Sequence, residues 1–459
     1  MIREFHRSTD HRLPELAREC FLSIMGSRDK PPLHDPSDLY PIPALPAVGP
    51  RPSSPPAAVV AQPTPPVTPP LPGDPTPLVA SQPAYDQRGP WVVTGLREYD
   101  GVMEWELPRH IEAFHGGGSS RCEICLPERS LSAMHFLLER RDRSLRLYDL
   151  HSRHGVFVMD SPVTTADLRP GSTFTAKPVT FIAMSDAMRR WRPELVEIAG
   201  ARWHHSPDWL MAEAVGSGHL LITSERGCEQ AQLATAIHEM SPRQVRDLID
   251  LDPVTLDRAR LIDAVRRASR DAATIGTTVL LRLGPRSSRL DETFLDMLYS
   301  SAYGIRVIVV ASSSDDARNA LSDRFVSLCQ HILLRPLAYR TDEIDQLLDR
   351  RFALRGAFNL RAVDLLNENR AALQRYSWPD NLAELRLIAD VLVAHQLKGG
   401  WRGAELATRI AKTTMQDHIE RIGLKASRVE SERRGATRYS FFKPTVLENS
   451  EAPTEADTE

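Results

Sequence analysis

"GGGSSRCEICLPERSLSAMHFLLERRDRSLRLYDLHSRHGVFVM", Gly116 to Met159, is a run of short apolar segments separated by turn residues. "CEICL", "MHFLLERR", "SLRLYDL" and "GVFVM" each hold only a few residues, and several alternate apolar with polar side chains. A helix would repeat its apolar face every three to four residues; alternation at this length reads as half-buried strand. Outward from this core, "WVVTG" at Trp91 and "VTFIAM" ending at Met184 continue the pattern. Residues 91–187 are therefore expected to form an all-β sandwich.

Beyond the sandwich the pattern changes. From 203 to 340, β-rich apolar runs ("HLLIT", "TTVLLRL", "IRVIVVAS") alternate with helical stretches, as buried parallel strands with crossover helices do. Residues 341–398 read as helical, 399–443 as a small helix-helix-strand unit, and 444–459 as an acidic disordered tail. On the other side, 1–30 read as a tail in which a short amphipathic helix over 12–26 is expected. The segment 31–90 holds 20 of the 35 prolines, so it is expected to be an extended, disordered tether. Three Thr-Pro steps lie in it, at Thr64, Thr68 and Thr76.

The bulk numbers narrow the function classes. A net charge of −3 over 459 residues excludes a global basic field for nucleic acid. Five cysteines without a framework suggest a reducing compartment. Cys122-x-x-Cys125 has no second ligand pair, so no metal is expected. With no apolar run of spanning length and no signal peptide, a cytoplasmic protein without membrane contact is expected.

The quoted stretch resembles the forkhead-associated (FHA) domain, a β-sandwich that binds phosphothreonine peptides. The family pattern G-R-S-S-x-C-D-I-x-L falls on Gly117–Leu126, S-x-x-H on Ser132–His135, and D-L-x-S-x-N-G-x-F-V on Asp149–Val158; "LRPGSTF" from Leu168 also fits. The resemblance implies a phosphopeptide site built from Ser120, Arg121, Ser132, His135, Arg153 and His154. His135 matches a residue that mainly braces the loop. The family arginine is replaced by Gly118 and the asparagine by His154. A phosphate prefers a guanidinium fork, so Arg121 and Arg153 would have to compensate, and an unphosphorylated partner stays open. If the sandwich takes phosphothreonine, the Thr-Pro steps of the tether are candidate ligands, in cis or from another copy.

"GHLLITSERGCEQAQLATAIHEMSPR", Gly218–Arg243, reads as strand, turn and helix. It resembles the ATPase module of sigma-54-dependent activators, a branch of the AAA+ family. "LLRPLAYRTDEIDQLL" and "YSWPDNLAELRLI" resemble later motifs of that module. The resemblance implies a P-loop NTPase-like α/β fold with a helical lid. The chemistry it implies is not carried over. In the degenerate nucleotide loop Glu225, Arg226, Gly227, Cys228, Glu229, Gln230 and Ala231, the phosphate lysine is Gln230 and the metal-binding hydroxyl is lost at Ala231. Glu229 adds negative charge where anion would bind and is expected to cap its own helix. Arg282 and Leu283 stand near the positions of the magnesium carboxylates, serine replaces asparagine in "VIVVASSS", and the lid arginine is Ala383. A pseudo-ATPase with no catalytic residue and no cofactor is expected; ATP binding without hydrolysis is left open.

"WRGAELATRIAKTTMQDHIERIGLKASRVESERRGATRYSFFKPT" resembles a winged helix-turn-helix. Its expected core is Leu406, Ala407, Ile410, Met415, Ile419 and Ile422, with Gly435 at the wing tip. Ten Lys/Arg face five Asp/Glu over 401–445, an electrostatic footprint for DNA. Candidate contacts are Thr414, Gln416, His418 and Arg421 on the second helix, with Asp417 beside them, and Arg433, Arg434 and Arg438 on the wing. The expectation for the whole chain is a non-catalytic bacterial regulator of transcription or signalling. Two alternatives stand: a phosphopeptide-dependent protein scaffold without DNA binding, and an ATP-binding sigma-54-type activator. A homo-oligomer is left open.

Overall fold

Strand alternation builds the N-terminal half of the described chain. The computed structural model describes residues 92–126, 131–141, 144–200, 206–255, 257–270, 276–285, 287–299, 304–430 and 437–443. The expected N-terminal helix and tether (1–30, 31–90) and the acidic tail (444–459) lie outside the described residues. Strands β1 (Gly95–Glu98), β2 (Glu104–Glu106), β3 (Ala113–Gly117), β4 (Ile124–Cys125), β5 (Phe136–Arg141) and β6 (Ser144–Asp149) come first. They are followed by β7 (Val156–Val158), β8 (Ser161–Val163), β9 (Thr165–Leu168), β10 (Thr173–Ala176) and β11 (Val179–Met184). One sheet runs β2-β1-β11-β10-β7-β8, and the other β4-β3-β5-β6-β9. Every second residue of β5 points inward: Phe136 and Leu138 are buried while Leu137 and Glu139 are only partly covered. Phe174 stacks on Phe181 at 4.9 Å and meets the Phe136 ring edge-on at 5.2 Å. A Cβ on Gly116 would lie 2.1 Å from the Phe136 ring, so only glycine fits there. The first strand differs from expectation. "WVVTG" enters β1 only at its last residue, because Thr94 pairs with Met184 singly before the ladder begins.

Two helices join the sandwich to the next layer. Ser185 caps α1 (Asp186–Ala199), accepting from the Met188 N–H, and Ser206 caps α2 (Pro207–Val215). The join is dense. Asp208, in the first turn of α2, is 1% exposed and accepts from Arg97 of β1, from Arg192 of α1 at 3.1 Å and from the Asp100 N–H at 2.7 Å. Thr94 donates to Asp186 at 2.6 Å. A Cβ on Gly171 would lie 2.3 Å from Val215, so the sandwich loop rests directly on α2. All of these residues belong to one compact unit, Pro83–Glu459.

The α/β layer is a parallel sheet of β12 (His219–Thr223), β13 (Ile249–Leu251), β14 (Thr277–Leu283), β15 (Ile305–Ala311) and β16 (Cys329–Leu333), in the order β13-β14-β15-β12-β16. All seven residues of β15 are buried, as a central strand covered on both faces requires. The chain after β12 crosses to one side and the chain after β15 to the other. The crevice at the carboxyl ends of those two strands is therefore the topological switch point. The loop before α3 (Gln230–Glu239) lies there. Helices α4 (Arg258–Arg270), α5 (Glu292–Tyr299), α6 (Ser314–Ala320) and α7 (Asp323–Ser327) complete this layer.

The lid consists of α8 (Ile344–Leu354), α9 (Asn367–Arg375) and α10 (Asn381–Leu397). The C-terminal unit has α11 (Trp401–Thr408), α12 (Lys412–Ile422) and a two-stranded ribbon, β17 (Ser427–Glu430) with β18 (Thr437–Ser440). It is not a separate unit. Phe441 and Phe442 are fully buried within the lid's core, and Leu365 bridges Phe442. Asn369 of α9 donates to the Lys425 and Phe441 carbonyls and accepts from the Lys425 N–H. The expected core is corrected accordingly. Leu406 is 78% exposed and Ala407 is exposed; Ala404, Met415, Ile419, Ile422 and Leu424 are buried, because α11 turns its Ala404 side to α10.

Candidate functional site

Three loops converge at one end of the sandwich. The Gly118 N–H donates to the Ser132 carbonyl at 2.9 Å, and the Ser119 N–H to the Ala133 carbonyl at 3.1 Å. This docks the first loop on the second. His135, fully buried, ties the second loop to the third. Its Nδ1 accepts from the Ser132 N–H at 3.3 Å and its Nε2 faces the Gly155 carbonyl at 3.2 Å. Those partners are both satisfied by the tautomer protonated on Nε2. The third loop closes back: the Arg153 N–H donates to Ser132 Oγ at 3.0 Å. Ser132 is thus held from both sides, and among the described residues its own hydroxyl proton has no acceptor.

The first and third loops also carry arginine and histidine side chains. Arg121, Arg153, His151 and His154 are exposed, as is Ser120. Neither the Arg121 nor the Arg153 guanidinium makes an ion pair with a described residue. Gly118, where the resemblance implies arginine, has no left-handed backbone requirement, and a Cβ there would lie 3.2 Å from the Leu131 carbonyl. Among the described residues no group of His, Cys, Asp or Glu could hold a metal ion.

The second location singled out by sequence is the loop at the sheet's switch point. Its backbone is bonded to the lid. The Asn381 amide donates to the Arg226 carbonyl at 2.8 Å, and the Ala383 N–H donates to the Gly227 carbonyl at 3.3 Å. Arg226 pairs with Asp380 at 3.1 Å. Gly227 has φ +77°, and a Cβ on it would meet the Asp380 carbonyl oxygen at 2.0 Å. The Gln230 amide turns back into the loop and donates to the Ser224 and Glu225 carbonyls at 3.0 and 3.4 Å. Cys228 is buried, and burial pushes its thiol up to about 12. Ala231 follows without a hydroxyl.

Glu229 corrects one expectation. It occupies the cap position of α3 in a left-handed conformation, φ 65°, but its side chain caps no N–H. The carboxylate turns to Arg386 of α10, 3.4 Å away. Arg386 also donates to Glu197, to Glu194 at 2.8 Å and to Gln232 at 3.0 Å. Burial raises the Glu229 carboxyl and Arg386 pulls it back down. Three carboxylates raise the Arg386 guanidinium against the effect of its own burial. Arg386 was missed in the sequence. The signal was there: one helical step after Ala383, where the lid arginine is lost, the same face regains an arginine. Arg282 stands at the end of β14 and is paired in bidentate fashion with Asp250 of β13; Leu283 is buried.

On α12 the residues expected to face DNA divide. His418 is corrected: it is 4% exposed, with Nδ1 3.6 Å from Glu384 and 3.1 Å from Arg421 Nη2. The helix packs this side on α10, because Met415, Ile419 and Ile422 flank His418 on the same face. Thr414 and Gln416 are half-buried; Asp417 and Arg421 are exposed. Arg438 lies on β18, and Arg433, Arg434 and Gly435 fall outside the described residues.

Comparison with known proteins agrees with the sandwich. Residues 115–176 match the model of the FHA domain. A structure of phosphothreonine-dependent FHA domain interactions is 22% identical, covering 20% of this chain and 93% of its own, with a TM-score of 0.19. Mycobacterium tuberculosis EmbR in complex with a low-affinity phosphopeptide is 19% identical over 20% of this chain and 24% of its own, with a TM-score of 0.19. NtrX from Brucella abortus in complex with ATP is 17% identical over 52% of this chain and 68% of its own, with a TM-score of 0.32. No curated protein matches the sequence.

Proposed function

We propose that the FHA domain of this chain is its working surface, that it takes a phosphothreonine segment of a protein, and that the α/β core behind it is a non-catalytic body. The observation that carries the reading is the Ser132–His135–Arg153 arrangement. A buried histidine fixes two loops so that one serine hydroxyl and the exposed Arg121 and Arg153 face the same end of the sandwich. Phosphate oxygens accept hydrogen bonds, and a pre-positioned hydroxyl with flanking guanidinium groups supplies donors without further ordering. Titration of a phosphothreonine peptide library into the full chain tests this. Binding that disappears on dephosphorylation and in Ser132→Ala supports it; no phosphate dependence overturns it.

The core is read as a pseudo-ATPase. Support comes from Gly227 and Arg226, whose carbonyls are bonded to the lid helix, and from Gln230, whose amide occupies the loop's interior. Nucleotide phosphates would also need a lysine and a magnesium ligand, where the loop has Gln230 and Ala231. Millimolar ATP with magnesium is expected to leave the thermal midpoint of the full chain unchanged; a rise of several degrees overturns this part.

A second reading, DNA binding by the C-terminal unit, is favoured by one observation: Arg402, Arg409, Lys412, Arg421, Lys425 and Arg428 are all exposed on it. Gel-shift titration across salt tests it. Affinity that falls steeply with salt supports DNA, whereas no shift at low salt leaves the protein-binding regulator alone.

A further inference from the structure

Glu384 lies in the first turn of α10 and is fully buried. A buried carboxylate is stable only where donors and a cation surround it. Part of that set comes from the lid itself. Tyr376 donates its hydroxyl to Oε1 at 3.0 Å, and the Asp380 N–H donates to Oε2 at 3.4 Å. The rest comes from the C-terminal unit: His418 Nδ1 stands 3.6 Å and Arg421 Nη1 3.9 Å from Oε1. Arg421 Nη2 also lies 3.1 Å from His418 Nδ1, and because a guanidinium has donors only, the ring nitrogen accepts. Two residues three positions apart on α12 thus meet one lid carboxylate.

The same turn of α10 holds the loop at the switch point. Asn381 donates to the Arg226 carbonyl at 2.8 Å and accepts from the Leu337 N–H at 2.7 Å. The Ala383 N–H, one of the donors that a helix start leaves without an intrahelical partner, goes to the Gly227 carbonyl. Asp380 pairs with Arg226, and its carbonyl oxygen fills the space where a Cβ on Gly227 would stand. The loop is therefore bonded to positions 380, 381 and 383, and α12 to position 384. One helical turn is stiff, since its dihedrals are fixed together. A displacement at Asn381 or Ala383 is carried to Glu384.

We propose that this turn couples the loop at Gly227 to the C-terminal unit, with Glu384 as the latch on α12. Loss of the loop's hold on Asn381 and Ala383 tips Glu384 away from His418 and Arg421, and α12 loosens from α10. The reverse follows by linkage: drawing Arg421 off Glu384 loosens the loop. The Arg421 side chain is 48% exposed, so an anionic group arriving from solvent competes with Glu384 for it. Glu384 is then left with fewer charged partners in a buried place, a costly state that is relieved by movement of the turn. The surface of the C-terminal unit is in this way tied to the interior of the α/β layer, and the tie requires neither phosphopeptide nor nucleotide.

Amide hydrogen exchange of the full chain, read by segment, tests the coupling. Asn381→Gly suits the left-handed backbone of this position, φ 45°, and removes the side-chain amide that bridges Arg226 and Leu337. It is expected to raise exchange about tenfold in α12 as well as in the loop, with β15 unchanged. Arg421→Gln, a change on the exposed side of α12, is expected to raise exchange over residues 226–233 by about threefold or more. With Glu384→Gln already in place, Asn381→Gly is expected to add less than about threefold at α12, because the latch is gone. A faster loop beside an unchanged α12 in Asn381→Gly overturns the proposal, and so do effects that simply multiply in the double variant. If Asn381→Gly exchanges freely in every segment, β15 included, Arg421→Gln decides: an unchanged loop overturns the coupling and a faster one supports it.

Discussion

The Arg386 guanidinium on the lid helix lies 3.4 Å from the Glu229 carboxylate at the start of α3. A lid and a sheet are joined by a side-chain pair at the loop where the resemblance implied phosphate. Arg386 is 15% exposed and also holds Glu194 and Glu197. Its charge is therefore balanced by more than one carboxylate, whereas Glu229 shares Arg386 with two acidic neighbours.

That asymmetry gives opposite outcomes for the two partners. Arg386→Met removes the guanidinium that three clustered carboxylates share and is expected to cost about 3 kcal/mol, read as a shift of the denaturation midpoint. Glu229→Gln keeps the shape and removes a crowded charge, so it is expected to change stability by less than about 1 kcal/mol. An equal loss in both variants would contradict the arrangement.

Asp208 carries the join between sandwich and core. Replacing it with alanine strands Arg97, 5% exposed, without its main partner. A loss of about 3 kcal/mol is expected. Because Asp208 also accepts from Asp100 and Arg192, Asp208→Asn should recover part of that loss. Thermal unfolding of the two variants distinguishes a joint from a bystander, for which both would behave like the parent.

Gly118→Arg restores a guanidinium beside Ser132. The backbone there accepts a side chain once the Leu131 carbonyl gives by a few tenths of an ångström. A charge-assisted hydrogen bond contributes about 1.5–3 kcal/mol, so affinity for phosphothreonine peptide is expected to rise about tenfold or more. Unphosphorylated peptide should gain nothing. Calorimetric titration of both peptides reads the difference.

His219 sets an acid limit. Burial, with Arg306 and Arg243 nearby, pulls its imidazole down from 6.5 to about 4. In the fold its neutral Nδ1 accepts from the Val307 N–H at 3.0 Å. Between pH 6.5 and 4 the unfolded chain binds the proton that the folded chain refuses, so stability falls as pH falls through this window and is full above it. The loss from this group is about 2 kcal/mol after allowance for its partial exposure. His219→Asn, which keeps an acceptor without a titrating ring, should flatten that part of the pH profile; an unchanged slope would assign it elsewhere.

The sequence alone determined the layers and the strand-forming runs. Alternation in "SLRLYD" and the β-branched-rich run "IRVIVVA" state burial on one face and on two, because side-chain direction along a strand follows from local geometry. The resemblance, not the spacing alone, implied a brace at His135, and the hydrogen bonds of that side chain to Ser132 and Gly155 are consistent with it. Tertiary structure decided what no spacing contains. Arg386 meets Glu229 across 157 positions, and Asp208 meets Arg97 across 111. His418 has the composition of a surface helix residue, yet packing of α12 on α10 buries it against Glu384. A helix's own periodicity names its apolar face but not which polar residue at that face's edge will be covered. Only the packed partner sets that boundary. For the same reason the loop at Gly227 had its contacts decided by another element: its conformation is local, but its hydrogen bonds are made to Asn381 and Ala383.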